Sequence, residues 1–300
     1  MDLPLTVFLV LMATSAVASG VNGALGYGFS SIMVPVSLTM ISGRLLNPAL
    51  VLLEVVLNLY SLFLHRGSVR GVWPRVRPIL AGLLPGVIVG GLAFGLISAQ
   101  LLKASTYALI LPMVALQSFS LRWRVRSEPR WGVPFGFGLG TLYATTTVSG
   151  PPLALYFTNL GLVQDEFRAA LAVVRVVESI TTLVMYALVG ALSSSGFALA
   201  GSFLPVVLIG LAVGRRLVSR IDRASFGRFC MRLDAALVTV GLALTISAAG
   251  WMSSAAAWLL AISLAVGVHL LAAAKARQVA ALVPTAEVEA AVPPTTAAAA

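Results

Sequence analysis

Three clusters of arginine, each set between long apolar runs, constrain this 300-residue chain more than any other feature. Arg66, Arg70, Arg75 and Arg77 lie in 65–77. Arg122, Arg124, Arg126 and Arg130 lie in 121–131, and Arg215, Arg216, Arg220, Arg223, Arg228 and Arg232 in 215–232. Together they hold fourteen of the 20 basic residues. The apolar runs near 45–64, 78–97, 101–120, 169–191, 198–217, 230–249 and 254–273 match a bilayer-crossing helix of about 20 residues. At 59% hydrophobic and 10% charged, the chain is too apolar for a soluble domain and reads as an all-α polytopic membrane protein. Its net charge of +10 is then the positive-inside bias of short loops rather than a nucleic-acid surface. All three arginine loops belong on the cytoplasmic side, and the lipid bilayer is the first partner.

Parity follows from that placement. Between the loops at 121–131 and 215–232 the chain must cross an even number of times. The runs 169–191 and 198–217 supply two crossings, so the segment 133–160 contributes zero or two. It is too short for two spans and its middle is broken. Gly150 is permissive, Pro151 and Pro152 donate no backbone hydrogen bond, and a residue before proline leaves the helical region. The segment therefore reads as a re-entrant hairpin with Thr145–Pro152 at its tip. Non-helical backbone at membrane depth is tolerated only where protein or a wet cavity surrounds it, so the tip is a functional-site candidate.

A shift of 121 positions lays the first half of the chain on the second. Asn47 falls on Arg168, Glu54 on Arg175, Asn58 on Ser179 and Ser61 on Thr182, a spacing that keeps one polar stripe on one helical face. Gly26–Ser31 falls on Thr147–Pro152, so residues 4–41 read as a second broken hairpin. The run 45–64 ends in an arginine loop and its partner 169–191 in the uncharged loop 192–197, which makes the repeats inverted. The expected architecture is two inverted repeats, each a broken hairpin followed by three transmembrane helices, plus one extra C-terminal helix. Its parts are 1–120, the cytoplasmic loop 121–132, 133–250, a helix at 251–275 and a disordered, cytoplasmic tail at 276–300 that is rich in Ala, Pro, Thr and Val. The N-terminus, with Asp2 and no early Lys or Arg, reads as retained rather than as a signal peptide. The single cysteine, Cys230, excludes an internal disulfide.

Inverted repeats built on interrupted helices place a substrate site where the breaks meet. Ser149 is positioned to cap a half-helix beginning at Pro151, and Ser30 and Ser31 face it from the other break. Two opposed helix N-termini with hydroxyls suit a small anion. The candidate substrate-binding residues are Ser30, Ser31, Asn58, Thr146, Thr147, Ser149, Gly150, Arg175 and Ser179. Glu54 and Glu178 are candidates for proton coupling or an ion pair, since an ionisable residue inside a span costs about 2.5–3.5 kcal/mol and needs a purpose or a partner. Arg175 pairs either with Glu178, three residues on, or with Glu54 across the halves. The blander readings are close packing for the small residues and a structural ion pair for the charges.

Two further functions fit fragments of the pattern. A passive anion channel shares the site without coupling. An intramembrane serine protease would use Ser149, in Thr147-Val148-Ser149-Gly150, with His269, but the leading glycine of a nucleophile motif is missing. No cofactor or metal motif is present in the sequence, and a homodimer is the candidate assembly.

The runs Thr146–Tyr156 and Phe167–Ala172 resemble the second repeat of the TauE/SafE permeases, known as sulfite or organosulfonate exporters. Gly23–Pro35 with Asn47-Pro48-Ala49 is similar to their first repeat, although Phe29-Ser30-Ser31 stands where the family has a denser glycine run. The resemblance covers about residues 5–250. It implies an inner-membrane secondary transporter for small sulfur-containing or carboxylated anions, driven by proton motive force.

Overall fold

The computed structural model describes residues 3–118, 128–162 and 164–218, and beyond these only 239, 243–244, 246–247, 253–263, 266–267 and 270. The expected span at 230–249, the tail, Cys230 and His269 thus lie wholly or largely outside the described residues, and of the helix expected at 251–275 the stretch Ser254–Ser263 is described and helical. Those described are helical, with no strand among them. In order they form α1 (Leu5–Leu25), α2 (Phe29–Ser37), α3 (Gly43–His65), α4 (Val69–Leu96), α5 (Ala99–Ser118), α6 (Glu128–Thr146), α7 (Gly150–Asn159), α8 (Gln164–Leu188) and α9 (Ser194–Val218). Four helical stretches among them are long and apolar enough to cross a bilayer: Leu5–Leu25, Gly43–Leu96, Asp165–Leu188 and Ser194–Arg216. Large apolar side chains stand outward on these helices, including Leu5, Leu96, Leu188 and Ile209 at 65% exposure or more. So much outward apolar surface on several helices belongs against lipid tails. The protein is a multi-pass membrane protein.

Two boundaries differ from the sequence reading. The expected loop 65–77 is a 3-10 turn at Arg66–Ser68, after which α4 runs unbroken through Pro74, Pro78 and Pro85. A long helix packed by neighbours tolerates such prolines because adjacent groups satisfy the freed carbonyls. Arg70, Arg75 and Arg77 therefore sit on the first turns of α4. The expected loop 121–132 is likewise shorter, since α6 already begins at Glu128, with Pro129 inside its first turn, where proline is tolerated.

Packing follows small residues. A Cβ added at Gly82 of α4 would collide with the Val133 carbonyl of α6, and one at Gly136 with the Ile79 carbonyl. On the other side of the molecule, a Cβ at Gly214 of α9 would collide with the Gly20 carbonyl of α1. Backbones can approach this closely only through glycine faces, the usual means of helix association in lipid. Around these pairs, one apolar core gathers α1, α2, α3 and α9, and another gathers α4, α6, α7 and α8. A third cluster, with Val51, Phe94, Leu102, Tyr143 and Tyr186, joins them.

Contacts also give the helix directions. Gly132 and Gly136 of α6 meet Pro78 and Ile79, Gly90 meets Thr141, Glu166 pairs with Arg75, and Gly91 meets Met185. Hence α4, α6 and α8 run the same way. Gly210 meets Ala16 and Ser19, and Arg215 donates to the Tyr60 hydroxyl, so α1, α3 and α9 run together. Asn47 reaches the Thr145 carbonyl of α6, next to the Ala144 carbonyl that Tyr186 of α8 bonds, and Asn58 reaches Arg175, which sets α3 against α8. Both α6 and α8 start at the end of the bundle where α4 starts. Residues 128–162 thus leave one end of the bundle and return to it.

Candidate functional site

Both chain breaks are made the same way at positions 121 apart. Helix α1 ends at Gly26, in the left-handed conformation at φ +86°, and its N–H donates to the Asn22 carbonyl at 2.7 Å. Helix α6 ends where Thr147 has φ +59°, its N–H donating to the Tyr143 carbonyl at 2.7 Å. Gly28, at φ +105°, then leads into α2. Glycine adopts this conformation freely, whereas for β-branched threonine it is an outlier costing about 1–3 kcal/mol. Local hydrogen bonds hold the strained break. Thr146 Oγ1 donates to the Leu142 carbonyl at 2.8 Å and accepts the Val148 N–H at 3.2 Å, and Thr147 Oγ1 donates to the Thr146 carbonyl at 2.7 Å. These hydroxyls are therefore engaged with their own backbone.

Helix α7 begins at Gly150, one residue before the expected Pro151, and Ser149 does not cap it through its side chain. The reason is chemical. A cap oxygen accepts the N–H of the second or third helical residue, and here those are Pro151 and Pro152, which have none. The Ser149 hydroxyl donates instead to Glu178 Oε2 at 2.6 Å. The two breaks touch, because a Cβ at Gly150 would stand 3.3 Å from Tyr27 Cβ and 3.6 Å from the Gly28 nitrogen. Ser30 and Ser31 are buried in the first turn of α2, and the Ser31 hydroxyl has no hydrogen-bond partner.

Beside the breaks lies a charged cluster with no solvent contact. Arg175 is 1% exposed, and Glu54 and Glu178 are fully buried. Arg175 Nη2 donates to Glu54 Oε1 at 2.7 Å, so of the two pairings open to it the guanidinium takes the one across the halves. The Tyr143 hydroxyl donates to Glu54 Oε2 at 2.5 Å. Asn58 Nδ2 donates to the Arg175 carbonyl at 3.2 Å and to Ser179 Oγ at 3.4 Å, and Ser179 Oγ donates to that same carbonyl at 2.7 Å. Several buried polar atoms of the cluster have no partner: Arg175 Nε and Nη1, Glu178 Oε1, Asn47 Oδ1 and Thr182 Oγ1. Buried polar atoms are nearly always satisfied, so orphans gathered in one place need an explanation. Two unpartnered guanidinium donors beside a carboxylate are of the kind that binds an oxyanion through charge-assisted hydrogen bonds.

The structure therefore brings Asn58, Thr146, Thr147, Ser149, Gly150, Arg175, Ser179, Glu54 and Glu178 into one buried region, with Ser30 and Ser31 at the facing break. Sequence reasoning missed Tyr143, whose hydroxyl bonds Glu54. It also missed Tyr186, whose hydroxyl donates to the Ala144 carbonyl at 2.7 Å. Both are tyrosines inside apolar spans, and a buried phenol needs a partner. That was the available signal.

The family model described as sulfite exporter TauE/SafE matches residues 11–244. The chain belongs to the TauE/SafE family. It is also similar, at 30% identity over 194 residues, to a protein of Cupriavidus necator named "Probable sulfite/organosulfonate exporter TauE". That match covers 63% of this chain and 72% of the relative. No solved structure matches the chain. TauE/SafE proteins are membrane exporters and permeases rather than enzymes, so the chain is a membrane transporter and the protease reading falls. The Ser149 hydroxyl, moreover, is committed to a carboxylate rather than to an imidazole.

Proposed function

We propose that the protein is a secondary transporter that carries a small anion across the inner membrane, with Arg175 as the anion's principal ligand. The substrate class, suggested by the name of the Cupriavidus necator relative and by the chemistry of the cluster, is a sulfur oxyanion, an organosulfonate or a carboxylate. The observation that carries the reading is the buried Arg175 guanidinium, with Nε and Nη1 unpartnered, three residues before Glu178, which bonds Ser149 of the second break. Its planar fork suits bidentate recognition of an oxyanion. An arriving anion competes with Glu54 for that fork.

Two inverted repeats are the frame for this site. Supporting it, α2 and α7 begin 121 positions apart, as do α3 and α8, and α3 runs against α8. The helix that follows α3 or α8 in each half packs on the other half's first helix, α4 on α6 and α9 on α1. The described arginines at the ends of α3 and α9 and the starts of α4 and α6 share one end of the bundle, which by the positive-inside bias is cytoplasmic.

Proton coupling is assigned to Glu178. The cluster holds two carboxylates and one guanidinium, and the cation is already paired with Glu54. Glu178 is left with a hydroxyl donor and a free Oε1, so a proton closes the charge count. Solute counterflow in proteoliposomes tests the reading, with sulfite, ethanesulfonate and acetate as solutes. Wild-type protein is expected to exchange at least one of them, and Arg175→Lys, which keeps the charge but loses the fork, to raise KM by about tenfold or more. Unchanged KM in Arg175→Lys would remove Arg175 from the site. Solute accumulation driven by a pH gradient separates a coupled transporter from a passive channel.

A further inference from the structure

The early turns of α3 and α8 each reach across to the broken hairpin of the other half. Asn47, in the second turn of α3, donates from Nδ2 to the Thr145 carbonyl at 2.9 Å. Arg168, in the second turn of α8, donates from Nη2 to the Ala24 carbonyl at 2.8 Å. The two donors stand 121 positions apart, and so do the two acceptors. Ala24 is the penultimate residue of α1, and Thr145 is the penultimate residue of α6. The last carbonyls of a helix have no partner within it, and at membrane depth they need a donor from elsewhere. The bonds thus tie down the two helix ends at which the chain breaks.

The two contacts lie on opposite sides of the buried cluster. Helix α8 starts at the arginine-rich end, so Arg168 stands on that side, seven residues before Arg175. Helix α3 ends there with His65, so Asn47 stands on the other side, seven residues before Glu54. Arg175 pairs with Glu54 between them. On α8 the far contact lies level with Tyr186, whose hydroxyl bonds the Ala144 carbonyl beside Thr145, so Glu178 and Thr182 are also inside. Arg175, Glu54, Glu178 and Thr182 are all 1% exposed or less. The gap beside Arg168, lined also by Gly26 and Asn58, has room for about one water, so the arginine-rich side is shut to an organic anion.

We infer that Arg168 on Ala24 and Asn47 on Thr145 are the two gates of the transporter. This structure is the occluded state, with both gates closed, and the cluster opens to one side when the contact on that side lets go. The inference rests on the transporter reading above and adds two positioning residues to it, one on each side of the Arg175 fork. The net worth of a hydrogen bond is small against a whole fold, so either contact can release and re-form within a transport cycle.

Sided thiol labelling tests it without requiring transport. The reporter is Thr182→Cys, between the gates, in a Cys230→Ser background. The reagent is 2-sulfonatoethyl methanethiosulfonate, an anion that does not cross lipid, added outside vesicles of either orientation. Arg168→Gln is expected to speed labelling from the arginine-rich side by about tenfold and to leave the opposite side within about twofold. Asn47→Ala is expected to do the reverse. Arg168→Met and Asn47→Leu, which keep bulk and lose the donor, repeat the measurement should the first variants fold poorly. Unchanged labelling, or labelling that rises alike from both sides, would overturn the inference, because a contact that only stabilises the fold favours neither side. Counterflow measured on the same preparations separates the two claims. Arg175-dependent counterflow without sided labelling sinks the gates alone, and sided labelling without counterflow of any solute sinks the transporter reading alone.

Discussion

At Gly26 and Gly28 the chain turns through left-handed backbone on glycines, which accept it without strain, and Arg168 Nη2 bonds the Ala24 carbonyl just before them. At Thr147 the same conformation is forced on a β-branched residue, pinned by the hydroxyls of Thr146 and Thr147 and continued by a serine that bonds Glu178. The two breaks therefore share a shape and differ in how they are held. One is permissive, and the other is strained, over-determined by hydrogen bonds and tied to a buried charge. Strained backbone persists only where its surroundings fix it, and it concentrates where a site must be pre-organised. The second break is the one through which protonation of a carboxylate would reach the backbone.

The largest expected effect comes from removing the cation of the buried cluster. Arg175→Gln strands Glu54 and Glu178 without a cation, and breaking a buried pair costs about 3–5 kcal/mol. Its thermal unfolding midpoint in detergent should fall sharply, and Arg175→Gln combined with Glu54→Gln should recover much of that loss without recovering transport. Next comes Glu178→Gln. Protonation of Glu178 is favoured by lower pH on the loading side, so in wild type an imposed gradient of about one pH unit drives up to about tenfold accumulation. The glutamine variant, locked neutral, should lose that response and keep counterflow.

Exchanging the two breaks gives smaller effects. Gly26→Thr imports the strain without the hydroxyl network and should cost about 1–3 kcal/mol, read as a lower unfolding midpoint. Thr147→Gly releases the strain and should stabilise by about 1 kcal/mol or less, because glycine's greater freedom in the unfolded chain offsets part of the gain. Equal and opposite changes would mean that the network at Thr146 contributes nothing. The smallest effect is expected at Arg75→Gln. Its pair with Glu166, 3.5 Å long with both side chains more than a third exposed, should be worth under about 1 kcal/mol in the same unfolding assay.

Much of this arrangement was legible because membrane folding makes the sequence speak through charge and interruption. Arginines marked one end of the bundle, and parity made 133–160 a returning hairpin; the starts of α6 and α8 do lie at the same end. The 121-residue shift brought Gly26 onto Thr147 and Glu54 onto Arg175, and the first pair shares a backbone conformation while the second is an ion pair. What was hidden depended on side chains and on cooperative packing. The stretch 65–77 read as a loop, yet α4 runs continuously through Pro74 and Pro78 from Val69. Ser149 read as a cap, and the prolines at the second and third helical positions, visible in the sequence, forbid it. Tyr143 carries no signal of its own in the sequence, since its role depends on Glu54 standing opposite its hydroxyl. Arg215 read as a loop charge, yet α9 runs on to Val218 and the guanidinium reaches the Tyr60 hydroxyl.

The central claim is that Arg175 exchanges an internal carboxylate for a transported anion. Calorimetric titration of ethanesulfonate, and in parallel sulfite, into purified wild-type, Glu54→Gln and Arg175→Lys proteins tests it most directly. Removing the competing carboxylate while keeping the fork should tighten binding in Glu54→Gln by about tenfold or more, and losing the fork should weaken it in Arg175→Lys. Identical affinities in all three folded proteins, or weaker binding in Glu54→Gln, would make the pair a structural clamp between the halves and would place the anion elsewhere.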